Sequence, residues 1–216
     1  MKENRACKDT QLWKTNTIKS MKEGIRNKIY WVKENTKIEG GFTKKEWAIN
    51  NSYQGTWKEN KKFGFGIQVY SNGNKYEGEW EDNKQHGYGT LWVKKPNGNL
   101  VRNYTGQFYL GYKHGQGTMY FENGDQYEGN WKVNEMSGFG KIIYKNGDSY
   151  VGHWSNNLRN GYGILNKQNG DYFEGNWLNN DREGYGSHYF KENNKVIIGE
   201  WVGDIPKASV IYRLDS

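Results

Sequence analysis

The chain has 216 residues, 34% of them hydrophobic, with 29 Gly, 10 Trp, 17 Tyr and 8 Phe. That is too few aliphatics for a thick, layered core, and too many aromatics for a disordered chain. The net charge is +7, but residues 1–50 hold 12 Lys/Arg against 6 Asp/Glu, so the remainder is close to neutral and lacks the attraction on which nucleic-acid binding depends.

Residues 1–28 form a polar, basic arm with Leu12, Trp13, Ile18 and Ile25 as scattered apolar anchors, and a short helix is expected near 15–23. A basic arm suits an acidic protein, an anionic lipid or a nucleic acid; a solvated segment docked on a partner is the reading favoured. Met1-Lys2-Glu3-Asn4-Arg5 lacks the apolar stretch of a signal peptide, and no apolar run approaches the ~20 residues that span a bilayer. The single Cys7 excludes a disulfide framework and zinc spacing. A soluble protein of a reducing, intracellular compartment is expected.

Residues 29–52 read as a degenerate capping repeat: Tyr30 lies 23 residues before Tyr53 and Gly41 lies 23 before Gly64, but Val32 and Glu34 replace the glycine and aromatic of the later copies. The repeat array covers 53–203. Tyr53-Gln54-Gly55-Thr56-Trp57 precedes Gly64-Phe65-Gly66, and the phrase returns from Tyr76, Tyr104, Tyr127, Tyr150 and Phe173, with a half copy at Ile197–Trp201. The steps are 23, 28, 23, 23, 23 and 24 residues. The one insertion, around Pro96-Asn97-Gly98-Asn99, reads as a longer hairpin, and residues 204–216 read as a short tail.

Each copy reads as a β-hairpin. A polar loop with Asn follows the first strand (Asn60, Asn83, Asn157, Asn180), and Asn tolerates the left-handed backbone such loops need. Asn-Gly separates successive copies (Asn72-Gly73, Asn123-Gly124, Asn146-Gly147, Asn169-Gly170) and predicts a type I′ turn there, with φ > 0 at both residues. Hairpin joined to hairpin gives an all-β, single-layer antiparallel sheet. Strand alternation then sorts the side chains. One face carries the rings Tyr53, Trp57, Tyr76, Trp80, Tyr104, Phe108, Tyr127, Trp131, Tyr150, Trp154, Phe173 and Trp177, with both glycines of each Gly-x-Gly expected beneath them. The opposite face carries Phe65, Tyr88, Phe139, Tyr162 and Tyr185.

Tyr-x-Gly-x-Trp, then Gly-x-Gly, then Asn-Gly at a 23-residue step resembles the MORN repeat, the membrane occupation and recognition nexus. The resemblance covers six full copies and a half. It implies an elongated sheet of tandem hairpins without a cofactor. It also implies a non-catalytic scaffold or adaptor among the structural proteins of a ciliary or flagellar axoneme.

Nothing in the residues argues for catalysis. The Gly-x-Gly pairs lack the following helix and Lys-Ser/Thr of a phosphate loop. His86 and His114 share one repeat slot that elsewhere holds Phe63, Ser137, Asn160 or Glu183, so they read as loop residues rather than metal ligands, and no metal site is expected. Glu77, Glu79, Glu128 and Glu174 read as a solvated row. Two readings remain. In one, the aromatic-glycine face receives a helix or extended segment of a partner protein, Trp and Tyr being the side chains most enriched at binding hot spots. In the other, Lys58, Lys61, Lys62, Lys84 and the arm tether the protein to anionic phosphoinositides.

Overall fold

The computed structural model describes residues 42–47 and 51–214; the arm of residues 1–28, with its expected helix, lies outside the described residues. The strands are β1 (Phe42–Trp47), β2 (Asn51–Lys58), β3 (Lys61–Val69), β4 (Lys75–Glu81), β5 (Lys84–Lys94), β6 (Leu100–Tyr109), β7 (Tyr112–Tyr120) and β8 (Gln126–Lys132). They continue as β9 (Glu135–Ile143), β10 (Ser149–Ser155), β11 (Leu158–Asn166), β12 (Tyr172–Leu178), β13 (Asp181–Phe190), β14 (Lys195–Val202) and β15 (Ile205–Arg213). All fifteen belong to one antiparallel sheet in chain order, each strand pairing with its sequence neighbours. No helix occurs among the described residues.

The left-handed backbone expected of the polar loops is present, but the type I′ turn expected at the Asn-Gly junctions is not. The polar loops are the two-residue turns with left-handed backbone at both positions: Asp82 and Asn83 have φ of 47° and 68°, Asn156 and Asn157 of 50° and 67°. The Asn-Gly junctions are three-residue turns. Gly73 N–H donates to the Tyr70 carbonyl at 2.8 Å, and Gly73, not Asn72, takes the positive φ of 82°. This is a type I turn closed by a left-handed glycine. Its asparagine serves a different purpose: Asn72 Oδ1 accepts the Asn74 N–H at 2.9 Å, the local Asx bond that stabilises such a turn. The insertion is accommodated as expected, by lengthening β5 and β6 around a turn in which Lys95 N–H donates to the Asn99 carbonyl at 2.8 Å.

Residues after Gly203, read from sequence as a tail, form β15, which pairs with β14 through Gly199↔Ser209 and Val202↔Ile205. The half copy is therefore a whole hairpin. Ser209 stands where a second glycine would have marked it, which is why the sequence hides the strand.

Register explains the Gly-x-Gly. In the β8–β9 hairpin Gly129 pairs with Gly140 while Trp131 pairs with Met136, so three residues of β9 stand opposite Asn130. This bulge re-aims the first glycine. Gly138 has φ of +70°, and a Cβ built on it would face Asn130, whereas one on Gly140 would lie 2.3 Å from Tyr127 Oη. Only the second glycine of each pair lies beneath a ring; the first opens toward the opposite face, correcting the expectation for both.

The core is a single row on one side of the sheet. Tyr53, Tyr76, Tyr104, Tyr127 and Tyr150 are wholly buried, and the Trp and Phe between them nearly so. A one-layer sheet thus makes a core from rings laid over bare backbone.

Candidate functional site

The ring face is built from the repeat upward. Tyr127 crosses Gly129 and Gly140, and its hydroxyl donates to the Asn130 carbonyl at 3.0 Å; Tyr53, Tyr76, Tyr104 and Tyr150 make the same bond three residues on. Burial pushes these hydroxyls above the usual tyrosine range, so they remain neutral donors. Five indoles then link adjacent hairpins: Trp154 Nε1–H donates to the Gly140 carbonyl at 3.2 Å, as Trp80, Trp131, Trp177 and Trp201 do to Gly66, Gly117, Gly163 and Gly186. Phe108 has no such donor.

The rings meet edge to face without interruption. Tyr127 contacts Trp131 at 5.3 Å and Trp154 at 5.3 Å, with interplanar angles of 90° and 83°. The chain of contacts runs from Trp57 and Tyr53 to Phe173 and Trp201. Such pairs contribute about 0.5–1.5 kcal/mol each beyond the area they bury.

All twelve ring residues chosen from the sequence therefore come together, as one buried ladder. Over the rings of this face lies a second set of side chains. Five residues after each Trp or Phe, and paired with it across the loop, stand Lys62, Gln85, Lys113, Met136, Arg159 and Arg182. Lys113 Nζ lies 4.6 Å above Trp131, the Arg159 guanidinium 4.1 Å above Trp177 and that of Arg182 4.5 Å above Trp201. Burial holds the Lys62 and Lys113 ammonium groups below the usual lysine range. The sequence held the signal for this row, in the recurrence of cations at one repeat slot; comparing ring positions alone overlooks it.

Over the C-terminal copies the same face forms a groove of about 710 Å³. Tyr144, Leu165, Phe173 and Trp177 give it an apolar floor, and Lys145, Arg159, Lys167 and Arg182 surround it. The carboxylates at its rims are committed to the fold. Asp148 Oδ1 accepts the Gln168 N–H at 2.9 Å, and its Oδ2 takes Lys167 Nζ at 2.8 Å. Burial opposes the Asp148 charge, but these bonds win and hold its carboxyl below the usual range. Asp204 likewise accepts the Arg182 N–H and Nε–H at 3.0 and 2.8 Å. His188, beneath Arg182, is pushed down to about 4 by burial and by that guanidinium, so it is neutral at pH 7.

The opposite face differs. Phe139, Tyr162 and Tyr185 are exposed there, while Phe65 and Tyr88 are half-buried. The glutamates are on this side: Glu77 pairs with Lys75 at 3.0 Å, and Glu79 Oε1 accepts the Tyr88 N–H at 3.0 Å. His86 and His114, read as loop residues, lie within β5 and β7, where left-handed loop residues have already turned the chain. His86 Nδ1 is 3.0 Å from a Glu81 carboxylate oxygen, and no group of three potential metal ligands occurs among the described residues. Of the cations considered for a lipid tether, Lys61 pairs with Asp82 at 3.0 Å, Lys58 lies over Phe63 and Lys62 is drawn over the rings.

The family model described as MORN repeat matches residues 53–75, 76–94, 104–126, 127–149, 150–172 and 173–195. No curated protein matches the chain in sequence. Among solved structures, the SAS-4 (dCPAP) TCP domain of Drosophila melanogaster, in complex with a proline-rich motif of Ana2 (dSTIL), is 9% identical. That likeness covers 85% of this chain and 99% of that chain at a TM-score of 0.36.

Proposed function

The chain belongs to the MORN-repeat family, and from that premise we propose that it is a non-catalytic scaffold that holds partner proteins on its sheet within a ciliary or flagellar axoneme. The observation that carries the binding part is the groove on the ring face, an apolar floor ringed by cations and laid over a ladder of rings that stabilises itself. A surface that does not have to move in order to stay folded can hold a partner without ordering cost of its own. The axonemal placement is supported by the flanks of the array. Leu12-Trp13-Lys14, the lengthened copy ending in Arg102-Asn103-Tyr104 and the terminal Gly199-Glu200-Trp201-Val202 resemble those of MORN repeat-containing protein 3. The basic arm of residues 1–28 would pin the module to its assembly, with 29–52 capping an array whose last hairpin is β14–β15.

Cross-linking mass spectrometry on isolated cilia tests this reading. Lysine cross-links from Lys145 and Lys167 to one axonemal polypeptide are the expected result. Cross-links confined to Lys75 and Lys141 would move docking to the opposite face. Recovery of the protein with acidic liposomes rather than with axonemes would replace the scaffold by a membrane tether.

A further inference from the structure

We infer that the ring-face groove takes an acidic, amphipathic segment of its partner protein. This rests on the proposal that the ring face is the docking face, and it adds the chemistry of what docks. Between Tyr53 and Trp201 the strand positions facing the rings hold Lys62, Lys113, Arg159 and Arg182 and no carboxylate. The strand glutamates Glu77, Glu79, Glu128, Glu174 and Glu200 all alternate onto the other side. The strand positions over the rings are thus positive, while on the other side Lys75 and Lys141 stand among the glutamates.

Of the four cations around the groove, Lys167 and Arg182 are spent on Asp148 and Asp204 at 2.8 Å each, whereas among the described residues no ion pair holds Lys145 or Arg159. Asp148 and Asp204 are held by Lys167 and Arg182 and by backbone N–H groups, and Asp125 Oδ1 accepts the Lys145 N–H at 2.9 Å. Arg159 differs from Arg182 in having an asparagine where Arg182 has Asp204: its Nε–H and a terminal N–H donate to Asn180 Oδ1 and to the Asn180 carbonyl, at 3.3 and 2.7 Å. Its positive charge meets amides and the Trp177 ring, so a carboxylate arriving from outside would find an oriented, half-buried guanidinium in a groove that Lys145 also lines. Tyr144 and Leu165 offer the apolar contact between them. From β9 to β13 the groove crosses four strand spacings, about 19 Å at ~4.8 Å each. A helix covers that with ~13 residues at 1.5 Å per residue. Charge complementarity of this kind sets partner choice and encounter rate more than raw affinity.

The test uses the full chain and two fluorescein-labelled 14-residue peptides, both with Leu along one helical face, one with Glu and one with Lys at the remaining positions. Fluorescence anisotropy at low salt is expected to show saturable binding of the Glu peptide that weakens as salt is raised, and none of the Lys peptide. Lys145→Glu, at an exposed turn, and Arg159→Gln should each weaken Glu-peptide binding tenfold or more with the circular-dichroism spectrum unchanged. Glu128→Lys, on the other face, should leave it unchanged. Absence of Glu-peptide binding, equal binding of the Lys peptide, or a response to Glu128→Lys as large as that to Lys145→Glu would overturn the inference. Displacement of the peptide by vesicles containing acidic phospholipid would also overturn it, assigning the groove to lipid. Failure of the Glu peptide to bind leaves the scaffold proposal standing, since the cross-links from Lys145 and Lys167 judge it separately; displacement by vesicles counts against both.

Discussion

Alternate residues of the same strands build the two faces of this sheet, and the two faces relate to water in opposite ways. On one, Tyr127, Trp131, Tyr150 and Trp154 are at most 5% exposed and repeat a single packing solution copy after copy. On the other, Phe139, Tyr162 and Tyr185 are 54, 50 and 65% exposed, and their slot elsewhere accepts Gln116. The difference teaches where the repeat signature acts. Tyr, Trp and the second Gly of each Gly-x-Gly are fixed by mutual packing on the ring face, so they specify the sheet. The residues free to differ between copies, among them Lys62, Gln85, Lys113, Arg159 and Arg182, are the ones that give the sheet its surface chemistry.

The strongest way to break that comparison is to delete one large ring from each face. Trp154→Ala removes two edge-to-face contacts and the Nε1–H bond to Gly140, and leaves a cavity at the centre of the ladder. It should cost about 3–5 kcal/mol. Tyr185→Ala, on the exposed side, should stay within about 0.5 kcal/mol. Denaturant melts of the two variants check this. Because each repeat stabilises mainly its neighbours, the Trp154 variant should also split the transition into two, one for each flank. Equal losses would mean that the exposed face is covered and structural too. A corollary is that alanine variants of ring residues cannot separate binding from folding, whereas groove variants can.

A finer contrast lies within one Gly-x-Gly. Gly140→Ala would place a Cβ 2.3 Å from Tyr127 Oη and 2.6 Å from its Cζ, which overpacks the ladder and should cost about 1–3 kcal/mol. Gly138 has room, its Cβ meeting Asn130 at 3.4 Å, but its φ of +70° is the obstacle. Gly138→Asn should therefore be tolerated far better than Gly140→Asn, since Asn visits the left-handed region and needs no space beneath a ring. Thermal melts of these two variants decide it, and equal destabilisation would remove the distinction drawn between the two glycines.

The same distinction marks what the sequence could and could not reveal. The hairpins, their order, the lengthened copy and the ring ladder all follow from spacing, because a 23-residue step leaves strand alternation little freedom. The turn types did not, since Asn-Gly suits both a type I′ turn and a type I turn closed by glycine. What separates them is whether Asn72 spends its side chain on the Asn74 N–H, a bond that no pattern displays. β15 was hidden because Ser209 replaces a glycine. The cation row was visible only as a recurrence at one repeat slot, because a basic residue reads as solvated until the register lays it over an indole.

The mildest test concerns His188, where the two faces' logic meets on one strand. Its imidazole stacks with Phe190 and Trp201 and takes an N–H from Arg182 at 3.1 Å. Burial first, then Arg182 and Lys167, disfavour its protonation, and Asp171 only partly opposes them, so its pKa falls from 6.5 to about 4. In the unfolded chain it protonates near 6.5, so between pH 6.5 and 4 the unfolded state binds more protons and stability must rise with pH. The contribution is fully present above about 6.5 and is lost on acidification toward 4. Asp148, Asp171 and Asp204 have lowered values and lose their contributions only as the pH drops below 3.8. Glu122, held low by Lys95, loses its contribution only below 4.5, so the window from about 4.5 to 6.5 singles out the imidazole. His188→Gln, which cannot titrate, should flatten the dependence of the melting temperature on pH in that window, and the His188 ring protons should shift near pH 4 in NMR spectra of the native protein. A ring titrating near 6.5 would show that Arg182 does not hold it neutral, and that this end of the ladder is open to solvent.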